Sequence, residues 1–322
     1  MILVNENTNE KMRKVSIGVL LPIFLLSVMV LLSQRPGEAP ESGPTAPPTT
    51  VGVPKNETIS LLRNGEAVEM ELEAYLVGVV LGEMPTTFEQ EALRAQAVAA
   101  RTYALKTCRE GVRHGKNRIC DDPACCQGYK DGDDFPTDAV EKVRRAVQDT
   151  ENLVLVYGNE LIQATFFSCS GGRTEDAVAV WGNDVPYLHS VVSAGEEEGG
   201  AAFAESLIFT PEQFQNALGV NLKGAVDGWF GTVTYTAGGG VGTMVIGGVL
   251  YRGTTLRTLL GLRSTAFRVV VANGVITIHT RGYGHRVGLS QYGANAMAKA
   301  GADFREILKH YYSGVEIVQN SL

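Results

Sequence analysis

One carboxylate breaks a hydrophobic pattern in this chain. In "LEAYLVGVVLGEMP", Leu72 to Pro85, apolar residues fall at Leu72, Tyr75, Leu76, Val79 and Val80. This is the i, i+3, i+4, i+7, i+8 spacing of one helix face. The next position on that face is Glu83, at the C-terminal end of the helix, where the macrodipole disfavours negative charge. Its neighbours Leu81, Gly82, Met84 and Pro85 offer no cation. Burial and the dipole both raise a carboxyl pKa. A Glu that holds its proton near neutral pH is suited to general acid catalysis, whereas a solvated Glu at a helix end does no chemistry.

Other polar residues stand where a groove would need them. Gln96 and Arg101 lie on the alanine-rich segment "ALRAQAVAARTYAL". Alanine permits close helix packing, and Arg101 suits either an ion pair or a substrate contact. In "FFSCSGGRTED", Ser168 and Ser170 supply hydroxyls, while Gly171 and Gly172 let backbone approach a ligand. No G-x-S-x-G elbow is present, which argues against a serine nucleophile. "RGYGHRVGLSQYGANA" sets His285, Gln291 and Tyr292 among glycines, a composition better suited to lining a groove than to filling a core. Glu175 and Asp176 keep a second carboxylate in play.

The segment "HGKNRICDDPACC" gathers His114, Cys120, Cys125 and Cys126, with Cys108 just before it. A His-Cys₃ set suits a closed tetrahedral zinc site of structural type, although H-x5-C-x4-C-C is not a zinc-finger spacing. An extracytoplasmic chain also uses cysteines for disulfides, which would join Cys108 or Cys120 to Cys125 or Cys126. Free thiols are the third option. Zinc is the favoured reading, as a pin for the loop after the Gln96/Arg101 helix and not as a participant in chemistry. Cys169 suits a small buried position or the groove lining.

The elements that must position these groups are of mixed type, and the pattern predicts an α+β fold. Asn64-Gly65 marks a type I′ hairpin between two short strands near Thr58. Leu72 to Gly82 forms a helix that Pro85 stops. A second helix follows, with Thr86 and Thr87 placed three residues before Glu89 and Gln90 as a capping box. "PTDAVEKVRRAVQDT" reads as a helix and "NLVLVYGNELIQATFFS" as a hairpin turning at Gly158-Asn159. "AGEEEGGAA" reads as a loop, residues 204–280 as a compact β-rich section, and "GANAMAKAGADFREILKHYYSG" as two helices.

The N-terminus sets the expected compartment. Lys11, Arg13 and Lys14 precede nineteen uncharged residues, Val15 to Ser33. A bilayer core takes about 20 apolar residues in a helix, and the positive flank stays cytoplasmic. The favoured reading is a single-pass anchor over 15–33 with residues 1–14 cytoplasmic. A cleaved signal would have a shorter apolar region and an A-x-A site. Residues 34–57 hold six of the twelve prolines and read as an extended spacer. The folded domain is then 58–322, outside the cytoplasmic membrane. The net charge of −7 and the lack of a basic cluster beyond the N-terminus argue against nucleic acid as a partner.

Three of these stretches carry a family resemblance. "YLVGVVLGEMPTTFEQEALRAQAVAARTYAL", "SCSGGRTED" followed by Trp181, and "GYGHRVGLSQYGANAMAKAG" resemble the SpoIID/LytB domain family over residues 58–317. The resemblance implies a membrane-anchored lytic transglycosylase of sporulation. Such an enzyme cleaves the MurNAc–GlcNAc bond of peptidoglycan glycan strands during engulfment, from the mother-cell membrane facing the forespore. It implies Glu83 as the catalytic acid, a SpoIIP-like amidase/endopeptidase and a SpoIIM-like membrane protein as partners, and no cofactor in the chemistry. The second part of the family name brings a rival expectation, a glycan-binding activator of a cell-wall amidase that cleaves nothing itself.

Overall fold

The computed structural model describes residues 57–320. The expected anchor, and all but the last residue of the expected spacer, lie outside the described residues. No helix among the described residues is long and apolar enough to cross a membrane.

The chain begins with the hairpin β1 (Thr58–Arg63) and β2 (Glu66–Glu71). Its turn places Asn64 at φ 52° and Gly65 at φ 84°, the pair of positive φ values that a type I′ turn requires. Helix α1 (Leu72–Glu83) runs on directly and buries Leu72, Tyr75, Leu76, Val79 and Val80 as its spacing predicts. Pro85 then holds Met84 in extended backbone, φ −126°, ψ 136°. Helix α2 (Gln90–Glu110) ends at Gly111 in the left-handed region. After β3 (Arg118–Cys120), parallel to β1, come α3 (Thr137–Asp149) and the hairpin β4 (Leu153–Tyr157) and β5 (Glu160–Leu161). The short β6 (Phe166–Phe167) and α4 (Ala177–Trp181) complete this part.

The start of α2 differs from the sequence expectation. No capping box forms at Thr86 or Thr87; the helix begins at Gln90 and its N-cap residue Glu89 makes no side-chain cap. Phe88 is the cause: it is buried and packs edge-on against Tyr292, with ring centroids 5.0 Å apart, so residues 85–88 turn instead of winding. The free Glu89 N–H is taken by Asn295 Oδ1 at 2.8 Å, a cap supplied from a distant helix.

Residues 204–281 form β7 (Ala204–Phe209), α5 (Pro211–Leu218), β8 (Phe230–Tyr235), β9 (Val241–Ile246), β10 (Val249–Arg252), α6 (Gly253–Leu259), β11 (Ala266–Ala272) and β12 (Val275–Arg281). The strands make two antiparallel sheets, ordered β10-β9-β8 and β11-β12-β7. The β-rich expectation holds, with α5 and α6 added. Phe214, Trp229, Met244, Leu256, Ile276 and Ile278 give this section a hydrophobic core of its own. Its two ends meet: Ala204 pairs with Arg281, and Gly282 N–H donates to Phe203 O at 2.8 Å.

The chain then returns to the first part. β13 (Leu289–Ser290) runs parallel beside β6, α7 (Gln291–Lys299) and α8 (Phe304–Tyr311) follow, and β14 (Glu316–Gln319) pairs antiparallel with β4. The main core joins α1, α2, α3, β4 and α8, with Val79, Ala97, Ala100, Val143 and Ile307 fully enclosed. The alanines of α2 let α3, α7 and α8 approach closely. That packing brings the N-terminus of α7 to the C-terminus of α1, where Glu83 stands.

Candidate active site

Glu83 is half-buried and held from the side by the loop of residues 127–130. The loop lies against α1 because α1 presents glycines to it. A Cβ on Gly78 would stand 2.2 Å from the Tyr129 ring, and one on Gly82 would stand 3.0 Å from the Gly128 carbonyl carbon. Lys130 N–H donates to Gly78 O at 3.0 Å, and the Tyr75 and Tyr129 rings stack with centroids 5.9 Å apart. Buried Gln127 accepts from Tyr75 Oη at 3.1 Å and donates to Ala100 O at 3.4 Å. So fixed, the loop aims Gly128 N–H at Glu83 Oε1, and the two are hydrogen-bonded.

On the other side stands Gln291, the first residue of α7, 4% exposed. Its carboxamide acts on Glu83 in favour of the charged form, yet its Nε2 has no partner at hydrogen-bond geometry. Burial outweighs both the Gly128 and Gln291 contributions, so the Glu83 carboxyl titrates above its ordinary value. Glu83 is thus a half-buried carboxyl of raised pKa with the Gln291 carboxamide beside it. Pro85, Phe88, Tyr292, Asn295, Glu198 and Lys299 line an open cleft of about 380 Å³, whose wall includes the near chain neighbours of Glu83 and Gln291 but neither of those two side chains. Tyr292 lines this cleft, and its own N–H donates to Ser168 O at 3.0 Å.

Several other expected groove residues serve the scaffold instead. Ser170 is fully buried, and its hydroxyl donates to Glu196 Oε2 at 2.7 Å. The N–H groups of Gly171 and Gly172 donate to the same oxygen at 2.7 and 3.1 Å. Glu196 Oε1 accepts from Ser193 Oγ at 2.6 Å and from Ser290 Oγ. Ser170, expected as a substrate contact, is instead enclosed in the cradle of a buried carboxylate, to which the half-buried Gly171 and Gly172 give their N–H groups. Through Ser290, the N-cap of α7, that carboxylate fixes where Gln291 begins. Ser168 remains half-buried, and Gln96, fully buried on α2, leaves both amide atoms unpartnered.

Arg101 is also corrected. Its guanidinium is fully buried, with Nε and Nη2 donating to Glu73 at 2.8 and 2.6 Å and Nη1 to Leu153 O at 3.2 Å. It ties α1 and α2 to β4 and faces no groove. His285 packs between Phe167 and Trp181, with ring centroids 5.5 and 5.3 Å away. Its Nδ1 accepts from Val287 N–H at 3.2 Å. Desolvation, with the positive charge of Arg257 adding to it, lowers its pKa to about 4, so the ring is neutral at physiological pH. The two candidate second carboxylates are engaged elsewhere: Glu175 pairs with Arg286, both buried, and Asp176 accepts from Ser190 N–H at 2.7 Å.

The ligand atoms of His114, Cys120, Cys125 and Cys126 all lie within 4.8 Å of one another. His114 Nε2 is 3.3 Å from Cys125 Sγ, and the sulfurs of Cys125 and Cys126 are 3.9 Å apart. Tetrahedral Zn–S bonds of about 2.3 Å set S···S edges of about 3.8 Å. The donors are of the type and spacing that a closed zinc site takes. Every cysteine in the described residues is a free thiol, and Cys108 stands apart from the cluster. Sequence reasoning did not find Gly128 and Glu196. Gly128 carries only a backbone donor, and Glu196 sits in "GEEEGG", where nothing separates it from its two exposed neighbours.

A family model described as SpoIID, stage II sporulation protein, matches residues 63–157. The chain is 40% identical over 285 residues to stage II sporulation protein D of Bacillus amyloliquefaciens, covering 85% of this chain and 80% of that one. It is 40% identical over 265 residues to the protein of the same name in Bacillus subtilis strain 168, covering 79% and 76%. The chain is 30% identical over 295 residues to the amidase enhancer of Bacillus subtilis strain 168, covering 75% of this chain and 40% of that one.

Proposed function

Since the chain belongs to the stage II sporulation protein D family, we propose that it is a lytic transglycosylase that cleaves the glycan strands of peptidoglycan during sporulation. Glu83 is its single acid and base. The observation that carries this reading is a half-buried carboxyl of raised pKa, flanked by the Gly128 N–H and the Gln291 carboxamide, two residues before Pro85 in the wall of a cleft.

Ordinary glycosidases set two carboxylates across the scissile bond. Glu83 has Glu175 and Asp176 as sequence-suggested companions, and both are committed to other partners. Internal attack needs one carboxyl only. Glu83 protonates the glycosidic oxygen, and the bond from C1 to that oxygen breaks. The muramic acid C6 hydroxyl then attacks C1 of its own ring and returns its proton to Glu83, giving a 1,6-anhydro product. The nucleophile is part of the substrate and acts at high effective concentration. The Gln291 carboxamide is suited to hold the Glu83 carboxyl in place, and Tyr292 and Phe88 to line the path of the sugar.

Purified strands incubated with the chain should release anhydro-muramic ends, and Glu83→Gln should remove them while glycan is still bound. The reaction needs the protonated acid, so kcat/KM should fall as pH rises through the raised Glu83 pKa. Undiminished anhydro product from Glu83→Gln would end the assignment. A second reading rests on the similarity to the amidase enhancer: glycan binding that activates an amidase without cleavage. It predicts binding, no anhydro product from the unmutated chain, and amidase stimulation that survives Glu83→Gln.

The reading includes an anchor at 15–33 with the folded domain outside the cytoplasmic membrane, and SpoIIP-like and SpoIIM-like partners there. His114, Cys120, Cys125 and Cys126 would hold a structural zinc. Cys126 is two residues before Gly128, so the metal would brace the loop that aims a donor at Glu83.

A further inference from the structure

A second cavity, of about 240 Å³, opens between α4 and the β8–β9 sheet. Its floor includes Glu175, 1% exposed. Glu175 Oε1 is saturated, accepting from Thr236 Oγ1 at 2.7 Å, Gly240 N–H at 2.9 Å and Arg286 Nη1 at 3.1 Å. Its Oε2 is buried and accepts nothing. Leaving such an oxygen unpaired costs about 1–3 kcal/mol. Thr243, Thr254 and Thr265 also line the cavity, the Thr243 hydroxyl sharing a 2.8 Å hydrogen bond with Thr234 Oγ1, together with Arg252, which is exposed and makes no ion pair among the described residues. Val178 and Val180 give one wall an apolar surface.

We propose that this cavity seats one N-acetylated amino-sugar ring of a glycan strand, an inference that rests on the glycan-cleaving reading above. Four features select that chemistry. The charge of Glu175 is already balanced by Arg286, so the site calls for a neutral ligand and not for an ammonium group. The threonine hydroxyls both donate and accept, as sugar hydroxyls do. The valines suit the C–H face of a pyranose and the acetyl methyl, and Arg252 suits a carbonyl oxygen. The volume is below the roughly 300–1,000 Å³ of sites for drug-sized ligands and fits a single ring. The 204–281 section thereby holds a strand at a site separate from the Glu83 cleft.

The test uses the full chain carrying Glu83→Gln, so that the ligand stays intact, with the N-acetylglucosamine tetramer as probe and the free stem tetrapeptide as competitor class. Methyl NMR should show Thr243, Thr254 and Thr265 shifting with the tetramer and not with the peptide. Calorimetry should show affinity reduced about tenfold by Val178→Trp, which fills the cavity, and by Thr254→Val, each a loss on the scale of one interaction. Val178 is 48% exposed, so the larger ring has room to leave the fold intact, and a melting curve checks this. Threonine methyls that stay unmoved, affinity equal to the parent in both folded variants, or shifts caused by the peptide alone would each overturn the proposal. Those results would leave anhydro product from the unmutated chain untouched. Conversely, threonine shifts in a chain that never yields anhydro product would keep this site and remove the catalytic reading.

Discussion

Replacing Arg101 by alanine should destabilise the protein by about 3–4 kcal/mol without touching glycan recognition. The guanidinium is fully enclosed and gives two hydrogen bonds to Glu73 and others to the Leu153 and Val147 carbonyls. Breaking a buried pair by removing one partner costs about 3–5 kcal/mol. The Glu73 side chain is 32% exposed and would recover some water, which places the loss at the low end of that range. Val147 O keeps Thr150 as a donor, which also limits the loss. At about 2–4 °C per kcal/mol for a domain of this size, Tm should drop by roughly 10 °C. Arg101→Lys keeps the charge but not the fork, and should lose about half as much. Glu73→Gln should cost less than Arg101→Ala, since its carboxylate is the exposed partner. Thermal unfolding by circular dichroism measures the first quantity, and retention of peptide-free strands per folded molecule measures the second. An unchanged Tm combined with weakened strand binding would refute the structural role and restore Arg101 to the groove.

Three further outcomes are expected. Protein purified without added metal should carry one zinc per chain by elemental analysis, and chelation should lower both Tm and anhydro product; no metal with two fewer titratable thiols would instead identify a disulfide. The depressed pKa of His285, about 4, means the unfolded chain binds the extra proton first as pH falls. Its stabilisation is complete above the ordinary imidazole value of about 6.5 and is lost between there and pH 4, and His285→Asn should flatten that part of a stability-against-pH curve measured by urea unfolding. Glu196→Gln offers an amide N–H where donors converge, and should cost about 3 kcal/mol in the same assay; no loss would mean the cradle is not charge-assisted.

The Glu83 region was legible because it obeys local rules. A 3.6-residue stripe, a proline two residues past Glu83 and an Asn-Gly turn act within a few residues of themselves, and α1 and the first hairpin follow them. The cysteine cluster was legible because its four donors lie within thirteen residues, Gly111 and the short loop doing the rest. The start of α2 was not, because its cap comes from Asn295, 206 residues away. The cradle formed by Ser170 with the Gly171 and Gly172 N–H groups was not legible for a related reason. Hydroxyls and bare backbone N–H groups serve a ligand oxygen and a buried carboxylate equally well, and only the fold brings Glu196 to them. Arg101 was ambiguous for the same reason, since Glu73 meets it only when α1 packs on α2.

The entry and exit of the 204–281 section are paired to each other, Ala204 with Arg281 and Phe203 with Gly282, and the section has its own core. A segment that leaves and rejoins its host at one point behaves as a cassette. A short turn linking 203 to 282 would close almost the same gap and leave the α1–α2–α7 framework intact. Residues 204–281 are then a part of the fold whose length can change while Glu83, at the end of α1, keeps its place.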